Sequence, residues 1–299
     1  MSAASLAADD WVARLRQIPD AHRDFVVDLE RAELEFGLDE VAVRELVARG
    51  LPCMQTAEGL LLAAGDLHYL GLRLGCATVY LNIMRGWERA LTRAAERDET
   101  PMAVRCIAYA EEGTAVSVIV GPGERQDGHI DADQVAAGFA VRMSSAWPPV
   151  DPALGELWRD VAGLDFCWLP QALQEDVGFV RRTGLSDCAS AARLLADECT
   201  RRGCEARTGF GLLLAPPIAT QHNWVELRER EGRWVPSDPM LLALLTRYAG
   251  LDPAAWPPTR SPGAVLLRLA DRATPLVYAG DEPIEASFHT WRLDPASAR

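Results

Sequence analysis

Residues 184–239 constrain the fold more than any other part of the chain. They open with Gly184-Leu185-Ser186-Asp187-Cys188-Ala189-Ser190-Ala191-Ala192. Ser186 or Asp187 suits a helix N-cap, the Ala- and Leu-rich run that follows favours helix, and Gly203 suits its C-terminal stop. Cys188 is therefore expected in the first turn of a helix. Residues 207–214 read as a strand, Pro216-Pro217 as a connection, and 222–228 as a second strand headed by His222. In that strand His222, Trp224 and Glu226 share one face, with Asn223 and Val225 on the other. Glu231-Gly232 makes a hairpin turn, and Arg233-Trp234-Val235-Pro236-Ser237-Asp238-Pro239 returns alongside. His222 and Asp238 are thus expected at the open end of one antiparallel hairpin.

These residue types suit one chemistry. A thiol at a helix start is stabilised as thiolate by the dipole and the free amides, and the Cys188 amide can donate to an oxyanion. A histidine can move the proton, and an aspartate accepting its N–H fixes the tautomer. The other cysteines, Cys53, Cys76, Cys106, Cys167, Cys199 and Cys204, read as small buried hydrophobes. Seven dispersed cysteines with no C-x-x-C pair argue against a disulfide framework or a zinc site and for a reducing cytosol. No residue set has metal-ligand spacing, and no cofactor is expected.

The net charge of −13 makes nucleic acid and anionic membranes poor partners. No stretch approaches the ~20 apolar residues of a membrane span, and the first ten residues lack the pattern of a secretion signal. The reading is a cytoplasmic protein. All 30 basic residues are arginine, which suits a bacterial genome rich in G and C.

Residues 1–100 read as a mainly helical lobe, with helices over 23–36, 40–49, 65–72 and 78–97 and a small hairpin turning at Glu58-Gly59. Residues 38–75 resemble a small winged helix-turn-helix of the excisionase type. In so acidic a chain the segment is read as a lobe for packing or protein docking. Residues 101–150 read as a connecting segment containing a hairpin, with strands at 104–109 and 115–120 turning at Glu111-Glu112-Gly113. Gly121-Pro122-Gly123 reads as a turn within a polar loop. Pro148, Pro149 and Pro152 mark a boundary, and residues 151–299 form the catalytic domain.

Residues 180–240 resemble the transglutaminase-like superfamily of papain-related cysteine enzymes. The matching pieces are Asp187-Cys188, Leu194-Leu195, Gly203-Cys204-Glu205-Ala206-Arg207, His222-Asn223-Trp224-Val225-Glu226 and Trp234-Val235-Pro236-Ser237-Asp238-Pro239. Cys204-Glu205 stands where relatives usually carry an aliphatic residue and proline. The resemblance implies an α+β fold, a transglutaminase-like or papain-like core in which the helix bearing Cys188 packs on an antiparallel sheet bearing His222 and Asp238. It implies Cys188 as nucleophile, His222 as general base and acid, and Asp238 as orienter. Asp187, Asn223 and Trp224 would line the site, and Trp168 or Gln171 would help bind the oxyanion.

The implied reaction is acyl transfer through a thioacyl-enzyme. The donor would be a carrier-protein thioester, a carboxamide or a peptide, and the acceptor an amine, as in amide synthetases of bacterial specialised metabolism. Water as acceptor would give a peptidase or amidase. A non-catalytic interaction protein is the reading from another class.

Overall fold

The computed structural model describes residues 3–294. The chain is a mixed α/β protein with ten α-helices among the described residues and a large antiparallel sheet. It divides into two compact units, each made of two segments: Met1–Met84 with Gly163–Ala191, and Arg85–Ala162 with Ala192–Arg299. The sequence pattern suggests three consecutive segments, 1–100, 101–150 and 151–299, whereas each unit here joins two stretches separated along the chain. No helix among the described residues is long and apolar enough to cross a membrane.

The first unit carries the expected helix, hairpin, helix order. Helix Glu40–Ala48 is capped by the Asp39 side chain, which accepts from the Ala42 amide. Strands Met54–Gln55 and Leu60–Ala63 pair antiparallel, and helix Ala64–Leu74 follows. Residues 23–36 are not one helix. Phe25–Val27 is a strand on Leu60–Ala63, and the helix begins at Leu29. Two β-branched residues, Val26 and Val27, favour the extended backbone there, and the Asp28 side chain accepts from the Arg31 amide to start the helix. Arg23 is drawn inward instead. Its guanidinium meets Asp66 at 2.8 Å and the Leu15 carbonyl at 2.6 Å, with both charged side chains buried. The second segment joins the same core: Cys167, Leu173, Phe179 and Leu185 cluster with Leu15, Phe36, Leu67 and Leu70.

The second unit is built on a seven-stranded antiparallel sheet. Its main path runs Leu266–Ala270, Ala206–Ala215, Ile218–Arg228, Ala286–Arg292, Glu99–Ala108, Val135–Ser144, and Trp234–Ser237 pairs with Ile218–Arg228 off that path. A four-stranded sheet takes Glu282–Pro283, Val277–Ala279, Ala115–Gly121 and Glu124–His129. Both sheets share one apolar core, with Val104, Phe210, Leu212 and Phe288 beside Val118 and Val277.

The hairpin expected from 104 to 120 is therefore corrected. Both runs are strands, but Glu99–Ala108 pairs with Val135–Ser144 and Ala115–Gly121 with Glu124–His129. The polar run after Pro122 is a strand, not a loop. Gly123, at φ +76°, turns the chain tightly enough to bring Glu124 opposite Gly121.

Candidate active site

In the second unit, strand Ile218–Arg228 begins four residues earlier than the sequence pattern suggested. Pro216-Pro217 is a two-residue hairpin turn, with Ala215 opposite Ile218. His222 therefore sits inside a strand, opposite Gly211 of Ala206–Ala215, and not at its head. The return strand pairs Arg228 with Trp234 and Val225 with Ser237, and Gly232 at φ +85° makes the bend. This register delivers Asp238 just beyond the last pair. His222 Nε2 donates to Asp238 Oδ2 at 2.6 Å, and both residues are buried. The other oxygen, Oδ1, accepts the Leu241 amide at 2.8 Å and caps helix Pro239–Ala249. Two donors of different origin thus hold one carboxylate, which fixes its plane and that of the imidazole.

The strand face that carries His222 is tied down further along. The Trp224 ring lies 6.5 Å from the His222 ring and within 20° of parallel. Trp224 Nε1 donates to Glu226 Oε1 at 3.3 Å. Arg207 grips the other Glu226 oxygen at 2.7 Å and 2.8 Å, and Arg268 adds a charge contact at 3.3 Å without hydrogen-bond alignment. One residue before Asp238, Ser237 Oγ accepts the buried Trp158 indole N–H at 2.7 Å. Asn223, on the opposite face of the strand, is half-buried.

In the first unit, Cys188 is the first residue of helix Cys188–Arg201 and is half-buried. Asp187 is the cap. It accepts the Ser190 amide and the Ser190 hydroxyl, each at 2.9 Å. Burial pushes the Asp187 carboxyl up from its ordinary range, against hydrogen bonds from Ser190, Leu169 and Ala189 that hold the charged form. Cys188 thus stands at the positive end of the helix dipole. Burial pushes the thiols of Cys106 and Cys199 up to about 12 and raises that of Cys167.

Trp168 is 38 % exposed. Its ring stacks on His68 at 3.9 Å between centroids, and its indole N–H donates to the Tyr80 hydroxyl. Gln171 is exposed at the start of the short helix Gln171–Gln174. Tyr80 and His68 carry no local motif and were not found by reading the sequence. The His68 ring lies 4.1 Å from that of Tyr80, edge-on. Neither His68 nitrogen has a hydrogen-bond partner, and burial lowers its pKa to about 3. Burial, and to a lesser degree the negative charge that Cys188 can carry, raise the Tyr80 pKa. Tyr80 therefore keeps its proton and remains a hydrogen-bond donor in the electrostatic neighbourhood of Cys188.

Cys188 belongs to the first unit and the His222–Asp238 pair to the second. Within their own units, the imidazole has its carboxylate and the thiol has its capped helix. No group of three or more His, Cys, Asp or Glu among the described residues could hold a metal ion.

The chain matches no protein-family model and no curated protein. Among solved structures it is similar to the periplasmic domain of TgpA from Pseudomonas aeruginosa. With ethylmercury bound, that domain is 12 % identical at a TM-score of 0.19, over 51 % of this chain and 93 % of the TgpA chain. Without ethylmercury it is 13 % identical at a TM-score of 0.21, over 54 % of this chain and 94 % of the TgpA chain.

Proposed function

We propose that the chain is a cysteine-dependent acyltransferase of transglutaminase-like type, with Cys188 as nucleophile, His222 as general base and acid, and Asp238 as orienter. The observation that carries the reading is the buried contact of 2.6 Å between His222 Nε2 and Asp238 Oδ2. A histidine serving only as core packing does not need a carboxylate locked in place by a helix cap. The place of Cys188 at the start of an Asp187-capped helix supports the nucleophile assignment.

The reading requires the sulfur and the imidazole to act on one carbonyl group. The Cys188 thiolate attacks the donor carbonyl carbon, and its electron pair forms the C–S bond. The resulting oxyanion takes a hydrogen bond from the Cys188 amide, with Tyr80, Trp168 and Gln171 as the side-chain candidates. As the tetrahedral intermediate collapses, the bond to the leaving group breaks and that group takes a proton from the His222 imidazolium. An amine then attacks the thioester and passes its proton to His222, and the thiolate leaves as the amide forms. Asp238 keeps its charge throughout and steadies the imidazolium. Water as acceptor would make the same machinery a peptidase or amidase. The donor class we favour is an acyl thioester on a carrier protein, or a carboxamide. A cytoplasmic setting goes with this reading, since dispersed cysteines in odd number suit a reducing compartment.

Intact-mass spectrometry tests it. The protein is mixed with an acyl-thioester, a glutaminyl peptide and a peptide-amide donor, with and without a primary amine. The expected result is an acyl adduct on Cys188, absent in Cys188→Ala, that is discharged to the amine as a new amide. An adduct released only to water would replace transferase by hydrolase. No adduct from any donor, or an adduct that persists in Cys188→Ala, would remove the enzyme reading and leave an interaction protein.

A further inference from the structure

A pocket of about 230 Å³ in the second unit is lined by Gly86, Arg89, Ala90, Arg93, Pro216 and Arg292. Arg89 and Arg93 lie in the last turns of helix Thr78–Ala94, and Arg292 ends strand Ala286–Arg292. Three guanidinium groups from two elements thus line one small space. Among the described residues, none of the three is in an ion pair. Arg292 has its pKa lowered, first by burial and then by the positive charges of Arg93 and Arg97. Glu96 pulls the other way and is the weakest of the four influences.

A second arginine-bearing pocket is arranged differently. A cavity of about 550 Å³ in the same unit includes Arg125, Arg207 and Arg268. There Arg207 and Arg268 both meet Glu226, and Arg268 also meets Asp271. The chain has 43 acidic residues to 30 basic ones, so internal neutralisation is the easy arrangement, and the Arg89 pocket lacks it. A cation near a helix C-terminus complements the dipole, which accounts for Arg93. It does not account for Arg292, which comes from a strand.

We propose that this pocket binds the phosphate group of a small phosphorylated ligand, a site independent of the thiol chemistry. Carboxylates suit a single guanidinium fork, whereas a phosphate offers enough oxygens to accept from three guanidinium groups at once. Gly86 keeps the space open. A Cβ built there meets only Arg89 Nη2, at 4.0 Å. A larger side chain at this position would enter the pocket without altering its charge.

Titration calorimetry at low ionic strength tests the site on the full chain, with inorganic phosphate, pyrophosphate and succinate as probes. Phosphate or pyrophosphate should bind at least about tenfold more tightly than succinate, and Arg93→Gln and Arg292→Gln should each weaken binding by about tenfold. Gly86→Leu should abolish it while leaving the net charge unchanged. The proposal is overturned if neither phosphate probe gives heat, if succinate binds as tightly, or if binding survives both Gly86→Leu and Arg292→Gln. A melting curve for each variant separates loss of the site from loss of the fold.

Discussion

Gly209 and Trp224 face each other across antiparallel strands, and a Cβ on Gly209 would stand 2.7 Å from the indole nitrogen of Trp224. The missing side chain gives Trp224 its place, and Trp224 in turn flanks His222 and donates to Glu226.

Gly209→Ala should therefore destabilise the protein by about 1–3 kcal/mol through overpacking. It should also slow acylation of Cys188, because the indole must move toward the imidazole or break from Glu226. Chemical denaturation and adduct formation by mass spectrometry measure the two effects. A variant as stable and as fast as wild type would show that the contact relaxes freely.

Asp238 serves a helix and an imidazole through separate oxygens, so two substitutions read it differently. Asp238→Asn retains the oxygen that accepts the Leu241 amide and should change stability little, yet lower the acylation rate by a factor on the order of 10³ or more, as expected when the imidazole loses its tautomer. Asp238→Ala should lower the rate similarly and also cost about 1 kcal/mol from the lost cap. Equal rates in Asp238→Asn and wild type would show that His222 needs no partner.

Thiol labelling should follow burial. At pH 8 a thiol pushed up to about 12, as in Cys106 and Cys199, is thiolate in only about one part in ten thousand. Peptide mapping after brief alkylation should find Cys188 labelled first, ahead of the other half-buried thiols Cys53, Cys76 and Cys204. Cys106, Cys167 and Cys199 should react only on unfolding. Labelling of Cys53 or Cys204 at the same rate as Cys188 would contradict its placement at an activating helix start.

Tyr80 keeps its proton within electrostatic reach of a residue that can turn anionic, Cys188. Tyr80→Phe removes that donor and leaves the ring against His68. Acylation should slow by about 10–100-fold, the lower end of what losing an oxyanion donor costs, with a modestly lowered melting temperature because the Trp168 indole N–H loses its acceptor. An unchanged rate would assign Tyr80 to packing.

His68 makes stability acid-sensitive. Its pKa is about 3 in the fold, against an ordinary 6.5, so between those values the unfolded chain binds more protons. This contribution to stability is intact above pH 6.5 and shrinks as the pH falls through the window, with about 2 kcal/mol lost between pH 7 and pH 5. Asp66 runs the other way. Burial raises it to about 6, so the folded state holds its proton more tightly and stability from that group falls as the pH rises through 6. Comparing His68→Phe with wild type cancels the Asp66 part. Urea unfolding should show a smaller loss from pH 7 to pH 5 in the variant, and equal losses would mean that His68 is hydrated.

The His222–Asp238 relation was legible because it is local. Alternation gave the strand face, Gly232 gave the bend, and sixteen residues leave little freedom for the pairing between. The Cys188 helix was legible from its cap and composition. The strand partners further off were not. Alternation marks residues 104–108 as a strand but says nothing of which edge it meets, and its neighbours Val135–Ser144 and Ala286–Arg292 lie far along the chain. The same limit hid the stack of His68 on Trp168, two aromatic residues a hundred positions apart that only the fold brings together.

Each unit is stitched from an early and a late stretch of chain, and this dictates an order of events during synthesis. Most of the helices of the first unit emerge from the ribosome well before Phe179 and Leu185, which complete the core they pack into. Until residue 191 has been made, Leu15, Phe36 and Leu70 lack part of their cover, and a fragment cut at the proline-rich segment near residue 150 would leave them so permanently. Expressing either half alone should therefore yield sticky, chaperone-dependent material instead of a working module.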